Sequence, residues 1–385
     1  MIYITVKLPK IYHQMTFEEF LSSFDTAEYE FNSYVRNNDL TSTRTYEVDH
    51  ISDNFLKRVN VTKLITKLSA FNAQYKHLHD VENRSDLYRE FYIPKKSGGL
   101  RRIDAPNEEL KEALRNLKII LEDFGALYHT NAFAYIKGRC TLDAIKRHQA
   151  NQSNWYGKYD LHDFFGSTTL DYVMSMLEKI FPFNLIMNTY GRSELKKALD
   201  LAFLNGGLPQ GTPISPLITN LIMIPVDYIL TKELRNHNKQ KFIYTRYADD
   251  FIISSEYNFD YKEIEELIVN TLHEFNAPFT INSKKTRYGS RAGRNWNLGV
   301  MVGQNNEITI GYKKKKQFET MLFNYAMDAK NGIRWPKEDV QHLEGLRSYY
   351  HMVEGEVVDN IIKHISDKTK VDIKSQINCD LGRKL

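Results

Sequence analysis

Cysteine is scarce in this chain, which contains only Cys140 and Cys379 among its 385 residues. Two cysteines are too few for a disulfide framework or for a zinc site with four cysteine ligands. The sequence therefore excludes the class of small disulfide-stabilised secreted domains. A reducing compartment, the cytoplasm, is the simplest expectation.

Long apolar runs are also lacking. The most apolar stretch, residues 217–230, is interrupted by Asn220, Pro225 and Asp227, whereas a membrane-spanning helix needs about 20 predominantly apolar residues. The first ten residues do not have the basic-then-apolar order of a secretory signal. We therefore expect no membrane segment.

Internal repeats and low-complexity linkers are absent as well. Hydrophobic residues make up 42% of the chain and charged residues 26%, which is close to an ordinary soluble protein. The length is sufficient for a sizeable core. One enzyme with two or three lobes is favoured over a string of independent modules.

The net charge of +4 is modest, but the charges are unevenly distributed. Acidic residues crowd the N-terminal part, whereas cations form three separate clusters further on. These clusters are Lys95-Lys96 with Arg101-Arg102, Lys284-Lys285-Arg287 with Arg291 and Arg294, and Lys313 to Lys316. Three basic patches in one chain predict a track for a polyanion.

Alternating apolar and polar residues predict a hairpin over residues 91–106, with a basic tip around Gly98 and Gly99. Leucines at three- and four-residue steps predict a helix over residues 110–124. Further segments are predicted as helices beginning near 141 and 169 and over 261–275, and as strands over 158–161, 242–246 and 251–255. This order indicates an α+β fold, in which helices back one face of an antiparallel sheet.

Three aspartates stand at the ends of predicted strands. Asp160 lies in a short strand, and Asp249 and Asp250 lie in the turn between two apolar strands. A bare acidic pair is usually a solvated turn, but such a turn between apolar strands more often contains Asn-Gly or Asp-Gly. Nucleotidyl transfer uses two divalent ions about 3.5 to 4 Å apart, and Mg²⁺ prefers carboxylate oxygens. The pattern predicts a metal site formed by these aspartates.

At this point a resemblance becomes specific, because seven sequence blocks follow one another in a known order. The blocks are Ile93-Pro94-Lys95-Lys96-Ser97-Gly98-Gly99-Leu100-Arg101, Ala134-Tyr135-Ile136-Lys137-Gly138-Arg139, Asp160-Leu161-His162-Asp163-Phe164-Phe165, Gly207-Leu208-Pro209-Gln210-Gly211-Thr212-Pro213-Ile214-Ser215-Pro216, Tyr247-Ala248-Asp249-Asp250, Asn282-Ser283-Lys284-Lys285-Thr286 and Asn297-Leu298-Gly299-Val300. Together they resemble the fingers and palm motifs of bacterial reverse transcriptases, including those related to group II intron enzymes.

The resemblance implies a right-hand polymerase fold with fingers, an antiparallel palm sheet backed by helices, and a short helical thumb. The implied boundaries are an N-terminal extension at 1–55, fingers with part of the palm at 56–158, palm at 159–310 with an insertion near 170–205, and thumb at 311–385. The implied activity is RNA-directed DNA synthesis by a nucleotidyltransferase.

The resemblance also implies roles for individual residues. Asp160, Asp249 and Asp250 would bind the metals with the backbone carbonyl of Leu161. The nucleotide would contact Lys95, Arg101, Phe165, Gln210 and either Lys284 or Lys285, with Phe165 excluding a ribose 2′-hydroxyl. Nucleic acid would contact Tyr247, Leu298, Gly299, Lys313, Lys314, Lys315 and Lys316.

The implied cofactor is a pair of Mg²⁺ ions, with Mn²⁺ as a substitute. The implied partners are an RNA template, expected to be a structured non-coding RNA, a DNA or RNA primer, deoxynucleoside triphosphates, and a second copy or a second defence protein. No ribonuclease H, cysteine-rich nuclease, protease or integrase block accompanies the motifs, which resembles retron and phage-defence enzymes. Residues 300–304 lack the Val-Thr-Gly signature of retrons, which favours a defence enzyme outside the standard retrons.

Three other functions are open at this level. One is a DNA polymerase of phage defence that works without a template or primes on protein. Another is an RNA-directed RNA polymerase, which Phe165 disfavours because an aromatic ring leaves no room for the extra hydroxyl. The third is an inactive nucleic-acid-binding scaffold, which the intact set of three aspartates disfavours.

Overall fold

A computed structural model describes residues 61–95, 98–237, 240–291 and 296–383. The predicted N-terminal extension, Lys96, Ser97 and Arg294 lie outside the described residues. The helices are α1 (Val61–Gln74), α2 (Lys76–His79), α3 (Glu108–Glu122), α4 (Thr141–Ala150), α5 (Leu170–Leu177), α6 (Gly191–Asp200), α7 (Ser215–Ile222), α8 (Ile224–Asn236), α9 (Tyr261–Glu274), α10 (Tyr312–Lys330), α11 (Lys337–Thr369) and α12 (Ile373–Asp380). Short 3₁₀ turns occupy Arg84–Leu87 and Phe183–Ile186.

The strands are β1 (Tyr88–Pro94), β2 (Leu100–Pro106), β3 (Trp155–His162), β4 (Phe242–Tyr247), β5 (Asp250–Ser255), β6 (Thr280–Ile281), β7 (Arg287–Ser290), β8 (Trp296–Asn297), β9 (Val300–Val302) and β10 (Ile308–Thr309). The first two form an antiparallel hairpin. The largest sheet has the order β4-β5-β3-β6, with β7 also paired to β3. A small sheet has the order β10-β9-β8. The predicted α+β class is confirmed.

Local sequence explains where the predicted elements begin and turn. Gly98 and Gly99 both have positive φ, 87° and 79°, which glycine adopts without strain, and they lie at the tip of the predicted hairpin. Asn107 caps α3 by accepting a hydrogen bond from the Leu110 amide at 2.8 Å. Thr169 caps α5 in the same way. The predicted hairpin and the two predicted helices are confirmed.

The chain divides into two compact units. The first contains the described residues of 61–140, 157–253 and 259–287, and its core includes residues of α1, α3 and α5 to α9. The predicted face of α3 is buried in this core, with Leu110, Leu114, Leu117 and Leu121 at most 1% exposed. The strands that carry the three aspartates therefore pack against a hydrophobic core.

The second unit contains residues 141–156, 254–258 and 288–385. Its helices α10, α11 and α12 enclose a separate core that includes Phe318, Leu322, Val340 and Leu343. The continuous path of α11 is interrupted at Glu354, which has φ −141° and ψ 65°.

The lysines 313–316 lie in the first turns of α10, which begins at Tyr312. Positive charge at a helix N-terminus opposes the helix dipole. Acidic partners of two of these lysines, described below, offset that cost.

In the described ranges of the chain, none of the helices is both long and apolar enough to cross a membrane.

Candidate active site

Strand β3 presents Asp160 because neighbouring residues of a strand point to opposite faces. Tyr159 and Leu161 face the core and are 0% and 2% exposed, so Lys158 and Asp160 share the other face. Backbone hydrogen bonds from two neighbouring segments fix the position of Asp160 in the strand. The Leu161 amide donates to the Asp249 carbonyl at 3.1 Å, and the Asn282 amide donates to the Asp160 carbonyl at 2.8 Å.

The second element is the turn between β4 and β5. Strand β4 ends at Tyr247 and β5 begins at Asp250, so the turn consists of Ala248 and Asp249. Ala248 has φ 58°, a left-handed conformation that is uncommon for residues other than glycine and that clusters at functional sites. The structure thus brings the carboxyl groups of Asp249 and Asp250 beside Asp160, as their mutual influence on pKa shows.

Two lysines accompany the three carboxyl groups. Lys285 Nζ lies 2.8 Å and 3.0 Å from the two carboxylate oxygens of Asp160, and Lys158 Nζ lies 3.1 Å from Asp250 Oδ2. Asp250 Oδ1 is buried and has no hydrogen-bond partner. One acceptor in the centre of the cluster is therefore left without a partner among the described residues.

Burial and mutual repulsion perturb these acids. Burial, followed by the charges of Asp250 and Asp160, raises the pKa of Asp249 to about 6. Burial also raises the pKa of Asp250, and the Lys158 ammonium opposes that shift. Carboxylates held together resist simultaneous ionisation unless a cation lies among them.

The carboxylates supply the donor atoms that a divalent cation prefers. Across the part of the chain that the structure describes, no three acidic, histidine or cysteine side chains are grouped tightly enough to hold an ion. Asp160 and Asp250 instead form ion pairs with Lys285 and Lys158. Oxygen ligands, excess negative charge and the partnerless Asp250 Oδ1 nevertheless fit a hard cation.

Directly beneath the turn lies a buried polar network that the sequence reasoning missed. Arg246 and Asp227 are 1% and 0% exposed and form a two-pronged ion pair, with Nε to Oδ1 and Nη2 to Oδ2 both at 2.8 Å. Tyr244 donates to the same carboxylate at 2.6 Å. Arg246 Nη1 donates to the Ala248 carbonyl at 3.1 Å, so this network holds the turn that carries Asp249.

Phe165 and Gln210 lie on two loops that touch each other in the first unit. The Leu208 amide donates to the Phe165 carbonyl at 3.0 Å. The Asp104 amide of β2 donates to the Gln210 carbonyl at 2.9 Å, which ties the loop to the hairpin that carries Lys95 and Arg101. Both of these cations are exposed.

Tyr135 belongs to the second sequence block, residues 134–139, but no role was predicted for it. The residue is 58% exposed and has φ 59°, an outlier for an aromatic residue. Partial burial of its hydroxyl end, followed by the charge of Asp249, raises the pKa of Tyr135. The charge of Asp249 thus acts on this hydroxyl, and the motif's position in the sequence was the only available signal.

The two neighbouring palm lysines, which sequence could not separate, differ in the structure. Lys285 contacts Asp160, whereas the exposed Lys284 is joined to Arg287 through its own carbonyl at 2.8 Å. Tyr247 is half-buried at the end of β4.

The remaining predicted residues belong to the second unit. Leu298 and Gly299 form a tight turn with φ 50° and 87°, and Lys314 Nζ donates to the Gly299 carbonyl at 2.6 Å. Lys315 Nζ lies 2.6 Å from Glu354, and Lys316 Nζ lies 2.9 Å from Glu319. The lysine run is therefore not uniform: Lys313 and Lys316 are exposed, and Lys314 and Lys315 are half-buried.

Comparison with known proteins places these motifs in one family. A family model described as "Reverse transcriptase (RNA-dependent DNA polymerase)" matches residues 93–321. The retron Ec83 reverse transcriptase of Escherichia coli is 27% identical over 299 residues, which are 74% of this chain and 89% of that protein. The retron Ec73 reverse transcriptase of Escherichia coli is 31% identical over 240 residues, 61% of this chain and 74% of that protein.

The solved structures that are similar to this chain include the apo telomerase of Candida tropicalis, with 12% identity and a TM-score of 0.46. That similarity covers 73% of this chain and 59% of the telomerase chain. The sequence relatives include retron enzymes, while the prediction from residues 300–304 that this chain lies outside the standard retrons stays a prediction.

Proposed function

The chain belongs to the reverse transcriptase family and is an RNA-directed DNA polymerase, and from that premise we propose that Asp160, Asp249 and Asp250 form its two-metal catalytic site. Enzymes of this family depend on divalent metal ions and copy an RNA template. The proposal adds which residues hold the ions, that the ions are Mg²⁺ with Mn²⁺ as a substitute, and how the nucleotide is bound.

The proposal rests on one observation. Asp160 at a strand end and Asp249 and Asp250 at a strained turn place three carboxyl groups together, and the nearby lysines supply too little positive charge to balance them. The raised pKa of Asp249 and the buried, partnerless Asp250 Oδ1 both express this deficit. The repulsion raises the free energy of the folded protein until a cation enters. Such a cost is expected at a functional site and is unexpected in a scaffold.

The bound ions would activate the primer 3′-hydroxyl and stabilise the departing pyrophosphate. Asp160, Asp249, Asp250 and the Leu161 carbonyl would hold them. Lys285 is the proposed cation that neutralises or protonates pyrophosphate, because its side chain reaches Asp160 and is still 58% exposed. The exposed Lys95 and Arg101 would bind the triphosphate, since neither forms an ion pair with an acidic side chain among the described residues.

Phe165 is the proposed wall beneath the sugar, which favours deoxynucleotides, and Gln210 would lie beside the nucleotide. Tyr247, Leu298, Gly299 and the lysines 313–316 are the proposed contacts to the primer and template. These roles accompany the proposed fingers, palm and thumb at 56–158, 159–310 and 311–385.

The proposed biological setting is antiviral defence with a structured non-coding RNA as the template. Its support is the similarity to retron reverse transcriptases. The primer, DNA or RNA, and a second defence protein or second copy of the chain belong to the same proposal.

Primer extension tests the proposed function. Purified protein is given deoxynucleotides and Mg²⁺ with a primed RNA template, a primed DNA template of the same sequence, or no template. We expect products whose sequence is complementary to the RNA. Products without template, or products attached to the protein, would instead support the template-independent or protein-primed alternative. No product under any condition would support the scaffold.

A further inference from the structure

Residues 204–211, here called the Gly207 loop, lie directly against the turn that carries Phe165. Leu204 and Gly207 exchange two backbone hydrogen bonds, with N to O distances of 2.9 Å and 3.1 Å. The two residues between them, Asn205 and Gly206, have φ 52° and 84°. This is the arrangement of a tight two-residue turn that requires positive φ at both central positions, so the backbone of Gly207 is held firmly.

Gly207 makes the closest backbone approach of this loop to the Phe165 turn. A Cβ atom added to Gly207 would overlap the carbonyl oxygen of Gly166 and lie 2.8 Å from its carbonyl carbon. The obstacle is backbone rather than a flexible side chain. Any larger residue at 207 must therefore push the loop and the Gly166–Ser167 peptide, directly after Phe165, apart.

The contact is reinforced at the Phe165 carbonyl. This oxygen accepts hydrogen bonds from the Leu208 amide at 3.0 Å and from the Thr168 amide at 3.1 Å. Leu208 is 2% exposed, so its amide is fixed by the packing of its own side chain. The backbone of Phe165 is thus held by the Gly207 loop on one side and by its own turn on the other.

We propose that Gly207 is a positioning residue for sugar selection, because its missing side chain sets how far the Phe165 ring stands from the nucleotide. This inference rests on the proposed function of Phe165 as the wall beneath the sugar. Steric exclusion of one hydroxyl depends on the height of that wall, and a misplacement of about 1 Å alters catalysis strongly. Gly207 itself touches no substrate and acts through Phe165.

The test measures the ratio of kcat/KM for a deoxynucleotide to kcat/KM for the matching ribonucleotide. This ratio does not depend on the fraction of active protein, so a partial loss of folding does not obscure it. We expect Gly207→Ala to lower the ratio about tenfold or more. Gly289→Ala is the matched control, because a Cβ there meets no atom of the described residues within 4 Å, and its ratio should equal that of the parent.

Gly166→Ala supplies a second, milder variant. A Cβ at Gly166 would lie 2.5 Å and 2.7 Å from the carboxylate oxygens of Asp163, which are the end of a rotatable side chain. We expect a smaller decrease in the ratio than for Gly207→Ala. If Gly207→Ala yields no active protein, the inference is tested by Gly166→Ala alone. A kcat/KM ratio for Gly166→Ala equal to that of the parent then overturns the inference.

The double variant separates positioning from other effects. Because Gly207 acts through the Phe165 ring, adding Gly207→Ala to Phe165→Ala should not lower the ratio further. If Phe165→Ala alone leaves the ratio unchanged, the proposed role of Phe165 fails. If Phe165→Ala lowers the ratio and Gly207→Ala does not, the positioning inference fails while the role of Phe165 stands.

Discussion

Two clusters of charge lie on either side of the turn at Ala248 and Asp249, and their charges are balanced to very different degrees. Below the turn, Asp227 receives three hydrogen bonds from Arg246 and Tyr244 and is 0% exposed. Above it, Asp250 keeps a buried oxygen that has no hydrogen-bond partner within the described ranges, and Asp249 has a raised pKa. The lower cluster has its charges paired, whereas the upper one keeps an excess of negative charge, as expected of the proposed metal site.

The difference separates the acids that serve the fold from those that we propose to serve the chemistry. A buried ion pair with all its hydrogen bonds made holds geometry. A group of close carboxylates without enough cations destabilises the fold and gains only when a ligand arrives. Arg246 connects the two, because its side chain pairs with Asp227 and also donates to the Ala248 carbonyl.

The largest expected effect is on catalysis by the upper cluster. Asp249→Asn and Asp250→Asn should each reduce nucleotide incorporation by a factor of roughly 10³ or more, because each removes a charge from a metal site. The exposed Asp171, changed to Asn, is the control and should keep full activity. Incorporation by either variant above about a tenth of the parental rate, at saturating Mg²⁺, would contradict the assignment.

The lower cluster should respond in stability. Asp227→Asn leaves the buried Arg246 without its counter-ion, which costs about 3–5 kcal/mol of unfolding free energy. The exposed pair Lys196–Asp171, at 3.0 Å, is the matched control, and Asp171→Asn should change stability by less than about 1 kcal/mol. Denaturant unfolding measures both, and equal small losses would remove the contrast between the clusters.

The upper cluster should show the opposite sign. The pKa of Asp249 is raised to about 6 in the folded protein, so the folded state binds this proton more tightly than the unfolded state. Stability without metal should therefore fall as pH rises from about 4 to about 6 and stay reduced above that. Asp249→Asn should stabilise the metal-free protein at pH 7 by roughly 1–3 kcal/mol. Equal unfolding free energies for parent and variant at pH 5 and pH 7 would refute this.

The same distinction between balanced and available charge applies to the lysine run of α10. Lys315 pairs with Glu354 and is half-buried, whereas Lys313 is exposed and Lys316 stays exposed while it pairs with Glu319. Changing the two exposed lysines to Gln should lower the salt dependence of RNA binding by roughly 1.4–1.8 log units per tenfold change in salt. Lys315→Gln should lower that slope by less than the change of either exposed lysine, because Glu354 already neutralises part of the Lys315 charge. A larger change for Lys315→Gln would reverse the assignment.

Local patterns predicted much of this fold. The hairpin β1–β2 follows from alternation and two glycines, and the turn at Asp249 follows from the apolar strands around it. Helix α3 follows from the spacing of its leucines. In each case the determining residues are close together in the chain, so the sequence carries the information directly.

The remaining features depend on packing between distant segments. The partners Asp227 and Arg246 are separated by 19 positions, and nothing in a single sequence pairs them. Lys284 and Lys285 are identical in type, and only the path of the turn after β6 decides which one reaches Asp160. The approach of Gly207 to Gly166 joins two motifs that sequence treats as separate.

Unfolding free energy measured against Mg²⁺ concentration at pH 7, for the parent and for Asp249→Asn, tests the role of the upper cluster most directly. The parent should begin less stable and gain on the order of 1 kcal/mol when Mg²⁺ exceeds its dissociation constant about tenfold. Asp249→Asn should begin more stable and gain much less, so that the two curves converge. Parallel curves, with the same gain in both proteins, would contradict the assignment of Asp249 to a metal site.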